Sequence, residues 1–381
     1  MIYNYFDTEP SLIDVLKKGE SKDFPQANTK KAYERRFTEL DNLFSDIPVE
    51  MGAMKSEYDQ QIKKISAKIE EISKISDEYE RIHKTNELFE GYSAIFLNKH
   101  GAEHISKVRE KAFDILKCFE RDLPSFYEIF FLLCSISVHD AGNVFGRENH
   151  EKSISKIMDS KCNNIIDDAV ERRVISRISG VHGGNINGDK DTISYLKADE
   201  IINNFNIREQ MLASVLRFAD ELADDNTRAN YSAMESGILG DASEIYHVYS
   251  SKLHTVKLQQ NPVTKAWYVV LRFEFDEGTA KKQFKKGCDS VYLLDEIYQR
   301  TFKMEQERRY CMRFLRIYCS IESINVEITI DNDEDVFDTK PIKYILQEKG
   351  YPDSQYNTIK DVNNDILTGE EMAIKLTKQV M

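Results

Sequence analysis

The stretch "FYEIFFLLCSISVHDAGNVFGRENH", residues 126–150, decides how the chain is read. From Ile129 to Val138 every residue is apolar or small, the mark of a buried segment. The run is well short of the roughly 20 residues a membrane helix needs. It ends in His139 and Asp140, and His150 follows across a glycine-containing loop. An ionised carboxylate at the end of a buried helix carries a large desolvation penalty unless a cation meets it. A metal ion is the strongest such partner, and neutral imidazole beside a carboxylate is a common ligand pair for Mn, Fe or Zn. Taken alone, the dipeptide reads first as a capping histidine followed by a turn aspartate.

Other polar groups share its placement. His104 opens an amphipathic helix whose apolar face is Val108, Ala112, Ile115 and Leu116, and it continues that face inward. His182 ends "VISRISGVHGG", where two glycines turn the chain without covering the imidazole. Asp220 lies in "MLASVLRFADELAD". Leu212, Val215, Leu216, Ala219 and Leu222 set the buried stripe there, and Asp220, four residues after Leu216, points at the core. Histidines and carboxylates aimed inward from separate helices are explained together by one shared cation.

Around this centre the expected fold is mainly α. The helices read as 104–120, 126–138, 150–160, 166–180, 193–204 and 207–224, punctuated by Gly142, Gly146, Gly180, Gly183 and Gly184. Residues 1–50 read as short helices and loops. Residues 50–92 form one long periodic segment, with Tyr58, Ile62, Ile65, Ile69, Ile72, Tyr79 and Ile82 on one stripe. That stripe packs either within the chain or on a second copy. After residue 240 the texture changes. "IYHVYSSKLHTVKLQQ" (245–260) and "AWYVVLRFEF" (266–275) read as a hairpin about the turn "NPVTK", followed by a helix over 290–318 and a strand over 324–330. "DNDEDVFDTK" lacks the glycine and final glutamate of a calcium loop. Residues 339–381 read as a short helix and a polar tail. The domain expectation is an N-terminal helical segment (1–92), a helical core (93–240), a small α+β unit (241–332) and a C-terminal tail (333–381).

The chain's 381 residues are 41% hydrophobic and 31% charged, with a formal net charge of −13. An acidic surface argues against broad binding to duplex nucleic acid. The six cysteines include no CxxC pair, which reads as free thiols in a reducing cytoplasm. The N-terminal "MIYNYFDTEPSLIDVL" has no basic head before an apolar block, so the expectation is a cytoplasmic protein without a membrane span.

The order His104, His139–Asp140, His150, His182, Asp220 resembles the HD-domain metal-dependent phosphohydrolase superfamily. "EHISKV" is similar to its first-histidine helix, "VHDAGNVFGRENHEKS" to its His-Asp motif, "SGVHGG" to its later histidine motif, and "LASVLRFADELADDNTR" to its closing Asp helix. The resemblance covers about residues 93–235 and implies a helical core. It implies His104, His139, Asp140 and Asp220 as ligands of a divalent ion (Mn, Fe, Zn or Mg). His150 and His182 either bind a second ion bridged by Asp140 or act without metal, one of them as general acid. Lys107, Arg147 and Arg228 are the candidate phosphate contacts, and Glu151 a candidate for orienting water. The implied activity is hydrolysis of nucleotides, deoxynucleoside triphosphates foremost, by a homo-oligomer, in a setting such as bacterial antiviral defence. The alternatives are a single-strand nuclease and a non-catalytic nucleotide-binding sensor.

Overall fold

The computed structural model describes residues 5–25, 30–45, 74, 102–142, 150–186, 188–226, 244–331, 341–348 and 357–378. The long apolar stripe expected over residues 50–92 lies outside them, apart from Lys74. The protein is mostly helical with a mixed sheet. It divides into two compact units, Met1–Asp220 with Phe314–Cys319, and Glu221–Arg313 with Ser320–Met381. No helix among the described residues is long and apolar enough to cross a membrane.

In the first unit, α1 (Tyr5–Thr8), α2 (Leu12–Leu16) and α3 (Lys30–Ser45) precede α4 (Ala102–Lys117), α5 (Phe126–Val138), α6 (His150–Lys161) and α7 (Ala169–Ser179). Helix α5 is the core: every residue from Tyr127 to Val138 is buried. Its start is fixed by a reciprocal cap, in which the Ser125 hydroxyl accepts from the Glu128 amide and Glu128 Oε2 accepts from the Ser125 amide. The buried Glu128 also accepts Arg208 Nε at 2.8 Å and Nη2 at 2.7 Å. Arg208 directly precedes α8 (Glu209–Leu222), so one ion pair ties the starts of the helices that carry His139 and Asp220.

A second buried carboxylate, Glu171 on α7, accepts from the phenols of Tyr33 (3.0 Å) and Tyr127 (2.7 Å) and pairs with Arg36. This knits α3 to α5 and α7. A third tie joins Asp41 of α3 to Ser137 of α5 (2.8 Å) and to Arg109 of α4. Buried carboxylates need such partners, because an unpaired charge in a packed interior is expensive.

The helix expected over 193–204 is replaced by a single 3-10 turn, Ile193–Tyr195, and a hairpin of β1 (Glu200–Ile202) and β2 (Phe205–Ile207). Asn203 (φ 50°) and Asn204 (φ 70°) occupy its turn. Two successive positive φ angles match the twist of a tight hairpin, and Asn tolerates them better than most residues.

In the second unit, residues 245–260 are not one strand. Helix α9 (Glu244–Lys252) comes first, and only Leu253–Gln260 is extended, as β3. Ile245, Val248 and Tyr249 recur at helical spacing and bury one face. Strand β4 (Trp267–Asp276) pairs antiparallel with β3, as the hairpin pattern predicts. A short helix, α10 (Glu277–Lys281), and a hairpin of β5 (Gln283–Lys286) and β6 (Asp289–Tyr292) precede α11 (Leu293–Leu315). Strand β7 (Ile321–Asp331) then lies parallel to β4, with Leu271 opposite Val326. The tail also contains a strand, β8 (Ile342–Gln347), antiparallel to β7, which corrects the expectation of a helix and tail alone. Helices α12 (Ile359–Val362) and α13 (Gly369–Lys378) follow. The sheet order is β3-β4-β7-β8.

Candidate metal centre

His104 sits in the first turn of α4 and its side chain is fully buried, because Ile105, Val108, Ala112, Ile115 and Leu116 press the same face into the core. Its Nε2 lies 3.1 Å from Asp220 Oδ1 and 3.7 Å from Asp140 Oδ2. His139 caps the C-terminal end of α5. Its Nδ1 is 2.7 Å from the Ile136 carbonyl oxygen. A carbonyl only accepts, so Nδ1 carries the proton and Nε2 faces the site. That Nε2 is buried and stands 3.5 Å from Asp140 Oδ2 and 3.7 Å from Asp220 Oδ1.

Asp220, near the end of α8, is placed by the stripe Leu212, Val215, Leu216 and Ala219, all buried. The imidazoles of His104 and His139 are sealed, whereas Asp140 and Asp220 keep 12% and 27% of their side-chain surface open. Water therefore reaches the cluster from the carboxylate side. His182 follows the end of α7, with Nδ1 donating to the Ser179 carbonyl at 2.6 Å and Nε2 at 3.8 Å from Asp140 Oδ1.

The electrostatics call for a cation. Burial by itself pushes the His139 imidazole down, yet Asp140 and Asp220 outweigh it and raise its pKa from 6.5 to about 9. Burial pushes the Asp220 carboxyl up, and hydrogen bonding to His104 and His139 outweighs that and holds it well below the usual range. A proton on the rings, or a metal ion between the donors, supplies the missing charge.

The donor set fits an ion. The donor atoms of His104, His139 and Asp220 all lie within 4.8 Å of one another. Ligands roughly 2.1 Å from one ion stand about 3 Å apart at right angles and about 4.2 Å apart when opposite. Two nitrogens and a carboxylate oxygen suit Zn, Fe or Mn. Asp140 Oδ2 flanks both imidazoles.

The remaining candidate residues are placed differently. Lys107, one turn after His104, pairs with Glu110 at 3.1 Å. His150 opens α6, but its side chain and that of Glu151 lie outside the described residues, as do Arg147 and Arg228 altogether. Cys118, Cys134, Cys162, Cys311 and Cys319 are buried free thiols, and Cys288 is an exposed one. Reading the residues one at a time missed the carbonyls of Ile136 and Ser179, which aim the two imidazoles. It also missed Thr192 and Arg217, which stand behind His182. Arg217 alone left a sequence signal, one turn before Asp220 on the same helix.

Comparison with curated proteins and with solved structures returns no match. The HD-CE family model matches residues 78–273, more than half of the chain and all of the segment that carries the cluster. With the buried His104–His139–Asp220 group inside that match, the chain belongs to the HD-CE family, part of the HD superfamily.

Proposed function

We propose that the chain is a metal-dependent phosphohydrolase acting on nucleotides, with deoxynucleoside triphosphates as the leading substrate class. The observation that carries this reading is the convergence of His104, His139 and Asp220 from three helices of an HD-CE domain. Together with Asp140 they would hold the ion. A divalent ion supplies a Lewis acid that acidifies water and offsets charge on a phosphoryl oxygen.

The chain's own groups do the rest. The Ile136 carbonyl keeps the proton of His139 on Nδ1 and its lone pair toward the site. Asp140 and Asp220, on the open side, meet the incoming water and phosphate. His182, whose Nε2 neighbours Asp140 Oδ1, is set to pass a proton to the leaving oxygen.

In the basic stretches RVISR (173–177) and KKQFKK (281–286), which would favour a nuclease, four side chains are engaged elsewhere. Arg177 is bound to Glu209 and Glu200, Lys281 to Glu277, Lys282 to Glu244, and Lys286 to Glu296. That supports a small phosphate ester over a long single strand.

The test incubates the full chain with a panel of nucleotides and with labelled single-stranded DNA and RNA, in Mn or Mg, separating products by chromatography. Release of triphosphate or phosphate from nucleotides supports the reading. Strand cleavage alone moves it to a nuclease. Bound nucleotide without turnover moves it to a sensor.

A further inference from the structure

Behind His182 runs a polar chain that the hydrolytic reading does not use. Thr192 is 1% exposed, and its Oγ1 donates to the Val181 carbonyl at 3.1 Å. The same Oγ1 accepts Arg217 Nη1 at 3.0 Å. Arg217 is itself buried and stands one turn before Asp220 on α8. On the other side of His182, Ser179 holds the ring through its carbonyl, while its hydroxyl donates to the carbonyls of Ile175 (2.7 Å) and Ser135 (3.2 Å). Ser135 lies on α5, the helix that ends at His139.

The segment so gripped is bracketed by glycines. Gly180 precedes Val181–His182, and Gly183 and Gly184 follow, with Gly184 at φ 66°. A Cβ placed on Gly183 would meet nothing within 4 Å. Glycine leaves the backbone free to choose other conformations. The hydrogen bonds to the flanking carbonyls of Ser179 and Val181 bear directly on where the imidazole points.

We propose that Thr192 and Arg217 are positioning residues, which fix the Val181–His182 turn and so aim His182 at Asp140. Because Arg217 and Asp220 share one turn of α8, the placement of His182 is referenced to the helix that supplies a candidate ligand. The catalytic consequence rests on the reading of the cluster as a hydrolytic centre, whereas the geometric claim stands by itself.

The experiment uses the full chain in the variants Thr192→Val, Thr192→Ser, Arg217→Met and His182→Ala. Imidazole 15N resonances are recorded on the metal-free protein, with His182 assigned by its loss in His182→Ala. The His182 resonances are expected to move in Thr192→Val and Arg217→Met and to return in Thr192→Ser, while those of the exposed His254 stay fixed. In turnover, Thr192→Val should lower kcat about 10- to 100-fold with KM unchanged, the range for groups that orient metal-site side chains. Adding Thr192→Val to His182→Ala should cause no further loss. Unmoved His182 resonances, or an additive loss in the His182→Ala background, overturn the proposal. If Thr192→Val fails to fold by circular dichroism, Arg217→Met and Thr192→Ser decide it on the same two readouts. If the wild type hydrolyses no nucleotide, the hydrolytic reading fails, and the resonances still decide the positioning.

Discussion

His104 Nε2 and Asp220 Oδ1 stand 3.1 Å apart, although the two residues enter from opposite ends of the helical core's sequence. The His139 imidazole closes the group, with Nε2 at 3.7 Å from the same oxygen. A trio of this kind behaves as a unit, so removing one member should disable it whole. The variants His139→Ala and Asp220→Ala are expected to lose bound metal and all hydrolysis while keeping their helical content. Elemental analysis with far-ultraviolet circular dichroism checks this, and metal retained at wild-type stoichiometry would contradict the site.

Protons and metal compete for His139. With its pKa raised to about 9, the ring is protonated in the metal-free protein at pH 7.5, and binding must expel that proton. About one proton per ion is therefore expected to be released, and the metal should bind roughly tenfold more weakly at pH 7 than at pH 8. Asp220, held well below its usual range, adds no proton in this window. Isothermal titration in buffers of different ionisation enthalpy measures the count. A pH-independent affinity would refute it.

Glu128 is 2% exposed, and Arg208→Met takes away its guanidinium, leaving that carboxylate only the backbone amides of Ser125 and residue 208. Breaking one partner of such a pair costs about 3 kcal/mol or more. For a unit of this size that lowers Tm by roughly 6–12 °C. Thermal unfolding followed by circular dichroism should show the drop nearly unchanged in high salt, since burial limits screening.

The β1–β2 turn offers a smaller, signed test. Asn204 at φ 70° should accept glycine without loss, whereas Asn204→Val should destabilise by about 1–2 kcal/mol, the strain of a left-handed backbone. Chemical denaturation of both variants gives the comparison, and equal stabilities would show that the turn relaxes freely.

Much of the helical core was legible because its signal is strong and local. The Ile129–Val138 run and the Leu212–Leu222 stripe have one reading each, and both appear as helices α5 and α8. What failed was local ambiguity overruled by turn chemistry or packing. The 193–204 segment reads as a helix only if Asn203–Asn204 is not recognised as a hairpin turn. Residues 245–252 are aromatic and β-branched, yet they pack as a helix because Ile245, Val248 and Tyr249 fall on one face. Strand β8 hid in a tail whose alternation, Tyr344 and Leu346 buried between exposed neighbours, spans few residues. In the metal centre, side-chain identities were visible, but the Ile136 and Ser179 carbonyls that orient them were not. Backbone acceptors carry no letter of their own.

The first unit is completed by Phe314–Cys319, which arrive after α11. There the Tyr318 ring stacks on Phe119 at 5.3 Å, and its carbonyl accepts the Glu120 amide at 2.9 Å. A ribosome releasing residues 1–240 has thus delivered the candidate ligands without the last piece of their scaffold. A protein cut at that point would bare the Phe119 ring and the Cys118 thiol to solvent, inviting self-association. Native closure of the first unit waits for Phe314–Cys319 to emerge, so the intervening sequence acts as a folding appendix to the site it follows.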